Sequence, residues 1–126
     1  MKHPELNALL VELAGEDVKK IVRLKGGDPF VFAHGGDEMH VLREAGIRYE
    51  IVPGITAGLA APAYFDIPVT HRAVSRSFTC LTAHSESGEL PDFDCTALAK
   101  LGGTLIFYMG VRQIASIRQA LIEAGC

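Results

Sequence analysis

The chain has 126 residues, of which 48% are hydrophobic and 21% charged, and its formal net charge is −3 at pH 7. This length suits one ordinary domain, and the composition excludes a disordered tail or linker protein. The small negative charge provides no general basic surface for nucleic acid. No apolar run approaches the roughly 20 residues of a membrane span, and the N-terminus lacks the apolar core of a secretion signal. We therefore expect a cytoplasmic protein without nucleic-acid or membrane partners.

Helical and strand patterns alternate in the first half of the chain. Leucines at helical spacing follow Pro4, a good first helical residue, and Gly15 ends that pattern. Thr56 suits the N-cap of a later helix of small residues. The predicted elements are a helix over residues 4–15, a strand over 21–24, a helix over 37–46, a strand over 49–52 and a helix over 57–64.

The second half continues the alternation after an aperiodic, basic segment at residues 70–76, where we place a domain boundary. Asp94 suits an N-cap, and Gly102 and Gly125 suit helix ends. The predicted elements are a strand over residues 77–83, a polar loop over 85–93, a helix over 95–101, a strand over 104–109 and a helix over 111–124.

Strands that alternate with helices predict an α/β fold with parallel sheets covered on both faces. Each half has only two predicted strands, which are too few for a stable sheet. Because the chain begins on a helix and ends just after one, each half resembles part of a larger α/β domain. We therefore expect the chain to be a truncated form of a longer protein.

Three glycine-bearing turns follow predicted strands, and in open α/β sheets ligands bind beyond the carboxyl ends of the strands. The turns are Gly26-Gly27-Asp28, Pro53-Gly54-Ile55-Thr56 and Met109-Gly110. Glycine lets the backbone approach a ligand closely, while a following proline directs Asp28 toward an extended conformation. These loops suit a small, flat, polar cofactor. The alternative is that the glycines only turn the chain.

Other kinds of site have weaker support. The dinucleotide fingerprint G-x-G-x-x-G and the P-loop pattern are absent, as is the G-x-S-x-G elbow of serine hydrolases. His34, Asp37 and His40 are spaced three apart, which spreads them across a helix surface instead of converging them on one ion. We expect a solvated helix face there and no metal.

Five ordered sequence blocks carry a resemblance to a known family. They are Gly-Gly-Asp-Pro-Phe-Val-Phe at 26–32, Gly-Gly at 35–36, Val-Pro-Gly-Ile-Thr-Ala at 52–57, Ile-Pro-Val-Thr-His-Arg at 67–72 and Phe-Tyr-Met-Gly at 107–110. Together they resemble the uroporphyrinogen-III C-methyltransferases, which are tetrapyrrole methylases that use S-adenosylmethionine (SAM). The match runs through almost the whole chain but covers only about the middle half of the family's catalytic domain, so the chain looks like a central fragment.

The resemblance implies a tetrapyrrole methylase-like α/β fold, with parts of two α/β domains and the cofactor cleft between them. Residues 1–69 would be the C-terminal part of the first domain, 70–76 the interdomain connection and 77–126 the N-terminal part of the second. Carried over position by position, the resemblance implies that the methyl donor SAM is bound by Gly26, Gly27, Asp28, Val31, Thr56, Ala57 and Met109.

The activity implied by the resemblance is methylation of uroporphyrinogen III at carbon to give precorrin-2, in sirohaem or cobalamin synthesis, by a homodimer. The substrate is a polycarboxylate, which calls for local basic groups on an acidic chain. The candidates for substrate binding are Lys25, His71, Arg72 and Arg76. The alternative for these side chains is ordinary solvated loop charge.

This chain also departs from the family's pattern. Ala33-His34 stands where the family usually has Gly-Arg. The family's proposed acid-base groups lie upstream of the first helix of this chain, so no catalytic residue is assigned. Two alternatives remain open: a non-catalytic module with this fold that serves as a binding or assembly surface, and a related precorrin methyltransferase.

Overall fold

A computed structural model describes residues 2–15, 20–85 and 91–126. The described residues divide into two compact units, Met1–Thr56 and Ala57–Cys126. The predicted interdomain connection at residues 70–76 stays a prediction. The elements in chain order are α1 (His3–Gly15), α2 (Gly35–Glu44), α3 (Ala57–Tyr64), β1 (Phe78–Thr82), α4 (Cys95–Leu101), β2 (Thr104–Tyr108) and α5 (Ile114–Glu123), with a 3₁₀ turn at Val111–Gln113. No helix in these ranges is long and apolar enough to cross a bilayer.

In the first unit, α1 packs against α2 and buries Leu10. Both helices confirm the sequence prediction, although α2 begins two residues before Asp37. The earlier start follows from the local backbone, since His34 has a left-handed φ of 57° and the chain becomes helical directly after it. Gly46 follows the helix with a φ of 68° and ends it. Because glycine has no Cβ, it adopts this left-handed conformation without strain.

The two strands predicted in the first unit, at residues 21–24 and 49–52, are not formed. Those predictions were wrong for this structure because a strand exists only when a neighbouring strand completes its hydrogen-bond ladder, and the described residues provide no such neighbour. Their apolar side chains are correspondingly exposed, with Val22 at 75%, Leu24 at 82% and Val52 at 73% of full accessibility. The β-branched residues therefore favour a strand at these positions, but the tertiary structure does not form one there.

The second unit contains a strand-helix-strand arrangement. β1 and β2 are parallel, in a register that pairs Phe78 with Thr104 and Thr82 with Tyr108, and α4 lies between them in the chain. Both strands confirm the prediction, as does the cap of α4, where the Asp94 carboxylate accepts the N–H of Ala97 at 2.8 Å. Part of the predicted polar loop, residues 86–90, lies outside the described residues.

The interior of the second unit lies where the sheet meets α5. Ala83 and Ile117 are buried, and a Cβ added to Gly110 would lie 3.3 Å from the side chain of Ile117 and 3.6 Å from that of Ala83. The rings of Phe93 and Phe107 pack edge to face with centroids 5.9 Å apart. The predicted last helix is confirmed, with its first turn tightened into the 3₁₀ conformation. A parallel strand pair joined through a helix agrees with the predicted α/β class.

Candidate functional site

In the first unit, the carboxylate of Asp28 joins the first glycine turn to the second. Oδ1 accepts the N–H of Phe30 at 2.9 Å, which closes a tight turn within the first loop. Oδ2 accepts the N–H of Gly54 at 3.2 Å. Sequence analysis placed both turns at a ligand site, and the structure brings them into contact through this side chain.

The two turns approach so closely that only glycine fits at position 54, and a side chain at Gly27 would be crowded. A Cβ added to Gly54 would lie 2.6 Å from the carbonyl oxygen of Gly27, and a Cβ added to Gly27 would lie 3.1 Å from the carbonyl oxygen of Ile55. Real Cβ atoms do not pack 2.6 Å from an oxygen, so a side chain at Gly54 would separate the loops. A Cβ at Gly26, in contrast, would meet no atom within 4 Å, which leaves that stretch of backbone open to a ligand.

Hydrogen bonding to backbone N–H groups lowers the pKa of Asp28 below its ordinary value. The bond from Phe30 contributes most and the bond from Gly54 is second, while partial burial opposes them and the N–H of Val31 adds a smaller lowering. The carboxylate is therefore charged at neutral pH and accepts backbone hydrogen bonds from Phe30 and Gly54. Each oxygen retains lone-pair capacity for a ligand hydroxyl or amine.

Lys25, a predicted substrate-binding residue, lies at the entrance of the first loop with its ammonium turned inward. Nζ donates to Glu38 Oε1 at 3.0 Å, to Glu38 Oε2 at 2.9 Å and to the carbonyl oxygen of Ala33. An ammonium has three donors, and all three are engaged within the protein. Substrate binding by Lys25 stays a prediction, but this geometry gives the side chain intramolecular partners.

The first loop ends in a backbone contact that also requires glycine. The N–H of Gly35 donates to the carbonyl oxygen of Pro29 at 2.9 Å, and a Cβ on Gly35 would lie 2.2 Å from that oxygen. Phe32 and His34 both adopt left-handed φ angles, which non-glycine residues rarely do. Val31 lies half-buried between them and the Asp28 turn. The segment 26–34 is thus a tightly constrained loop, closed at its end by Gly35, the first residue of α2.

In the second unit, Met109 follows β2 directly, at the carboxyl edge of the parallel pair. Its φ is 56°, an uncommon conformation for a non-glycine residue, and its side chain is exposed. His84 emerges at the same edge, two residues after β1, with its N–H donated to Thr82 Oγ1 at 3.3 Å. Loops at this edge are where ligands bind in open α/β sheets, and cofactor binding by Met109 stays a prediction.

The start of α3 also belongs to the second unit, and its small residues have a packing role. The N–H of Gly58 donates to the hydroxyl of Tyr108 at 2.9 Å. A Cβ on Gly58 would lie 2.4 Å from that hydroxyl oxygen and 2.7 Å from a methyl carbon of Ile106. Gly58 therefore permits close packing of the helix on the strand, while Ala57 remains exposed and Thr56 is half-buried just before the helix.

The three other predicted substrate-binding residues share one exposed turn. His71 and Ser75 exchange two backbone hydrogen bonds of 2.8 Å, and Arg76 Nε donates to the carbonyl oxygen of Arg72 at 3.5 Å. His71 Nδ1 accepts the N–H of Ala73 at 3.2 Å, so a neutral His71 carries its proton on Nε2. We call residues 71–76 the basic turn.

The histidines considered as metal ligands lie on the surface of the first unit. His34 Nδ1 lies 3.2 Å from Asp37 Oδ2, and His40 Nε2 lies 3.4 Å from Glu44 Oε1. The rings of His3 and His34 stack with centroids 3.8 Å apart. Within the described ranges, no three His, Cys, Asp or Glu side chains are arranged to hold a metal ion.

Sequence reasoning missed two residues that shape these loops. Glu38 was assigned only to the first turn of a helix, yet it is buried and binds Lys25. Tyr108 was read as a strand residue, yet its hydroxyl meets Gly58. A glutamate on a helix and a tyrosine on a strand give no local signal for such contacts, since each partner lies far away in the sequence.

Comparison with known proteins confirms the resemblance seen in the sequence blocks. A uroporphyrinogen-III C-methyltransferase of Bacillus subtilis is 53% identical over 126 residues, which cover 99% of this chain and 26% of that protein. A uroporphyrinogen-III C-methyltransferase of Synechocystis is 52% identical over 122 residues, which cover 96% of this chain and 46% of that protein.

A solved structure supports the same relationship at the level of the fold. The uroporphyrin-III C-methyl transferase of Thermus thermophilus, complexed with S-adenyl homocysteine, matches with a TM-score of 0.79 and 34% identity, covering 98% of this chain and 53% of that one. The chain thus spans about half, or less, of the length of these relatives. The family model for tetrapyrrole (corrin/porphyrin) methylases matches residues 1–126, and the chain belongs to that family.

Proposed function

We propose that the protein is a SAM-dependent C-methyltransferase that converts uroporphyrinogen III to precorrin-2 in sirohaem synthesis. The observation that carries this proposal is the hydrogen bond by which Asp28 joins the two glycine turns, in a chain 53% identical to a uroporphyrinogen-III C-methyltransferase. Siroheme synthases are also among the relatives, with 47% identity over 125 residues for that of Xylella fastidiosa. Synthesis of cobalamin from the same product is a further proposed use.

The chemistry of the loops suits the polar parts of SAM. The open backbone at Gly26 can donate and accept hydrogen bonds, the charged carboxylate of Asp28 can accept them, and Val31 supplies apolar contact. We assign cofactor binding to these residues, to Gly27, Thr56 and Ala57, and to Met109 with its exposed side chain. When bound, SAM supplies an electrophilic methyl group on a sulfonium.

The basic turn suits a polycarboxylate substrate. His71, Arg72 and Arg76 are all exposed, and Arg guanidinium groups bind carboxylates with two parallel hydrogen bonds. The turn contacts β2, because the hydroxyls of Thr104 and Ser75 are hydrogen-bonded at 3.1 Å, and Thr104 also donates to the carbonyl oxygen of Val69, just before the turn, at 2.8 Å. We therefore propose that the turn orients substrate carboxylates. Of the four predicted substrate-binding residues, Lys25 has the least support, because the three N–H donors of its ammonium are engaged within the protein.

The contribution of this chain to the reaction is mainly positioning. A pyrrole carbon is the nucleophile, and holding it in line with a methyl group accounts for much of the rate in such transfers. Proton removal from the alkylated ring completes the step. No acid or base is assigned for it. We also propose that the protein forms a homodimer, that it is cytoplasmic and that residues 70–76 connect its two domains.

Isothermal titration of the protein with S-adenosylhomocysteine, followed by a methyl-transfer assay with uroporphyrinogen III, tests the proposal. We expect saturable binding with one site per chain and formation of precorrin-2. Binding without transfer to uroporphyrinogen III, but with transfer to a later corrin precursor, would assign the protein to a related methyltransferase. Absence of binding by folded protein would favour the non-catalytic module.

A further inference from the structure

The side chains of Lys25 and Glu38 form an ion pair that is almost removed from solvent. Their exposed fractions are 12% and 8%, and the ammonium contacts both carboxylate oxygens, at 3.0 and 2.9 Å. Arg23 adds a second cation, with Nε 3.1 Å from Glu38 Oε1. Glu38 is the charged residue that the described part of the chain buries. Buried charges of this kind are retained only when every group is paired.

The pair also closes the first loop on itself. The third donor of Lys25 reaches the carbonyl oxygen of Ala33, so the side chain at the start of the loop holds the backbone at its end. Between these two residues lie the Asp28 turn and the Pro29 carbonyl that accepts the N–H of Gly35. Because Glu38 sits on α2, it fixes the ammonium relative to a rigid helix.

We propose that Lys25 and Glu38 are positioning residues that hold the loop 26–34 in the conformation that binds the cofactor. This inference rests on the proposed function, because it concerns the loop to which SAM binding is assigned. It also gives Lys25 a different role from the substrate contact predicted from the sequence. The reason is that an ammonium whose three donors are engaged has none left for a substrate carboxylate.

A double replacement, Lys25→Met with Glu38→Met, tests the proposal without leaving a buried charge unpaired. Replacing a buried ion pair by apolar residues of similar volume is often tolerated, so we expect a folded protein. Arg23 then faces solvent at its partly exposed position. The bond to the Ala33 carbonyl is lost, and we expect S-adenosylhomocysteine to bind about tenfold or more weakly, in line with a lost charged hydrogen bond.

Two comparisons separate positioning from other roles. Glu44→Gln removes a carboxylate from the same helix at an exposed site and should bind the ligand as the unchanged protein does. Lys25→Met alone should weaken ligand binding in folded protein. If Lys25→Met instead raises only the KM for uroporphyrinogen III and leaves ligand affinity unchanged, Lys25 contacts the substrate and the proposal is overturned. A lowered melting temperature with unchanged affinity would likewise overturn it.

Hydrogen exchange decides the proposal even if the protein binds no S-adenosylhomocysteine. The N–H groups of Phe30 and Gly35 are bonded inside the loop and report its order directly. Faster exchange at these amides in the double variant, with unchanged exchange in α1, supports the positioning role. Unchanged exchange at both amides overturns it. Failure of ligand binding in the unchanged protein, together with faster exchange at these amides in the double variant, would refute the proposed function and leave Lys25 and Glu38 as residues that order the loop.

Discussion

Asp28 accepts the backbone N–H of Gly54 at 3.2 Å and so joins two loops that are 26 positions apart in the sequence. The same carboxylate orders its own loop through Phe30. Since a neutral amide cannot accept at both of its ends, the charge and symmetry of the carboxylate are needed for this double contact.

Replacement of Asp28 by Asn should weaken the junction without changing the size of the side chain. One end of the amide would present N–H to a backbone N–H, so one of the two contacts is lost. Loss of a hydrogen bond to a charged group costs about 1.5–3 kcal/mol, and we expect at least tenfold weaker binding of S-adenosylhomocysteine by titration calorimetry. Asp66→Asn, at an exposed aspartate, is the matched control. Equal affinity in both variants would contradict a role for the junction.

The junction should respond to pH only in the acidic range. Because the pKa of Asp28 is lowered in the folded protein, its contribution to stability is complete above the unfolded value of about 3.9 and is lost as the pH falls through the folded value. We expect the carboxyl signal of Asp28 in an NMR titration to have a midpoint below that of an aspartate in an unstructured peptide. A midpoint above that reference would show that backbone donors do not hold the carboxylate.

Replacement of Gly54 by Ala should separate the two turns, because the new Cβ would lie 2.6 Å from a backbone oxygen that cannot move freely. Overpacking of this kind costs about 1–3 kcal/mol, measurable by urea unfolding, and we expect weaker ligand binding as well. Gly36→Ala is the control, since a Cβ there meets no atom within 4 Å and the residue lies in α2. Equal stability of the two variants would exclude the close contact.

The contact between Tyr108 and Gly58 should appear as coupling in a double-mutant cycle. Tyr108→Phe removes the hydroxyl that accepts the Gly58 N–H and should cost about 0.5–1.5 kcal/mol of unfolding free energy. Gly58→Ala should cost more, because the Cβ meets the ring, and part of that cost should disappear in the double variant. Tyr49→Phe, at an exposed tyrosine, serves as the control. Additive effects would contradict direct contact.

Replacement of Arg72 and Arg76 by Ala should affect substrate binding far more than stability, because both side chains are exposed. We expect the KM for uroporphyrinogen III to rise at least tenfold, with a small change in the affinity for S-adenosylhomocysteine and a weaker salt dependence. Arg118→Ala is the control, because it removes a positive charge at an exposed position of α5, outside the basic turn. An unchanged KM would leave the basic turn as ordinary surface charge.

The sequence by itself determined the helices, the α/β class and the family. Asp94 at its N-cap, the glycines after α4 and α5, and the parallel pair β1 and β2 were all predictable, because capping, turns and hydrophobic patterns act over a few residues. The five motif blocks likewise indicated the family before any comparison.

Only the tertiary structure decided how those elements meet. The segments at residues 21–24 and 49–52 have strand sequences, but residues 2–15, 20–85 and 91–126 offer them no strand partner, since a ladder depends on a neighbour and not on propensity. The contact between Lys25 and Glu38 and the contact between Asp28 and Gly54 join residues separated by 13 and 26 positions. Such contacts depend on the folded path of the chain, and for that reason local patterns could name the loop residues but could not say what each side chain binds.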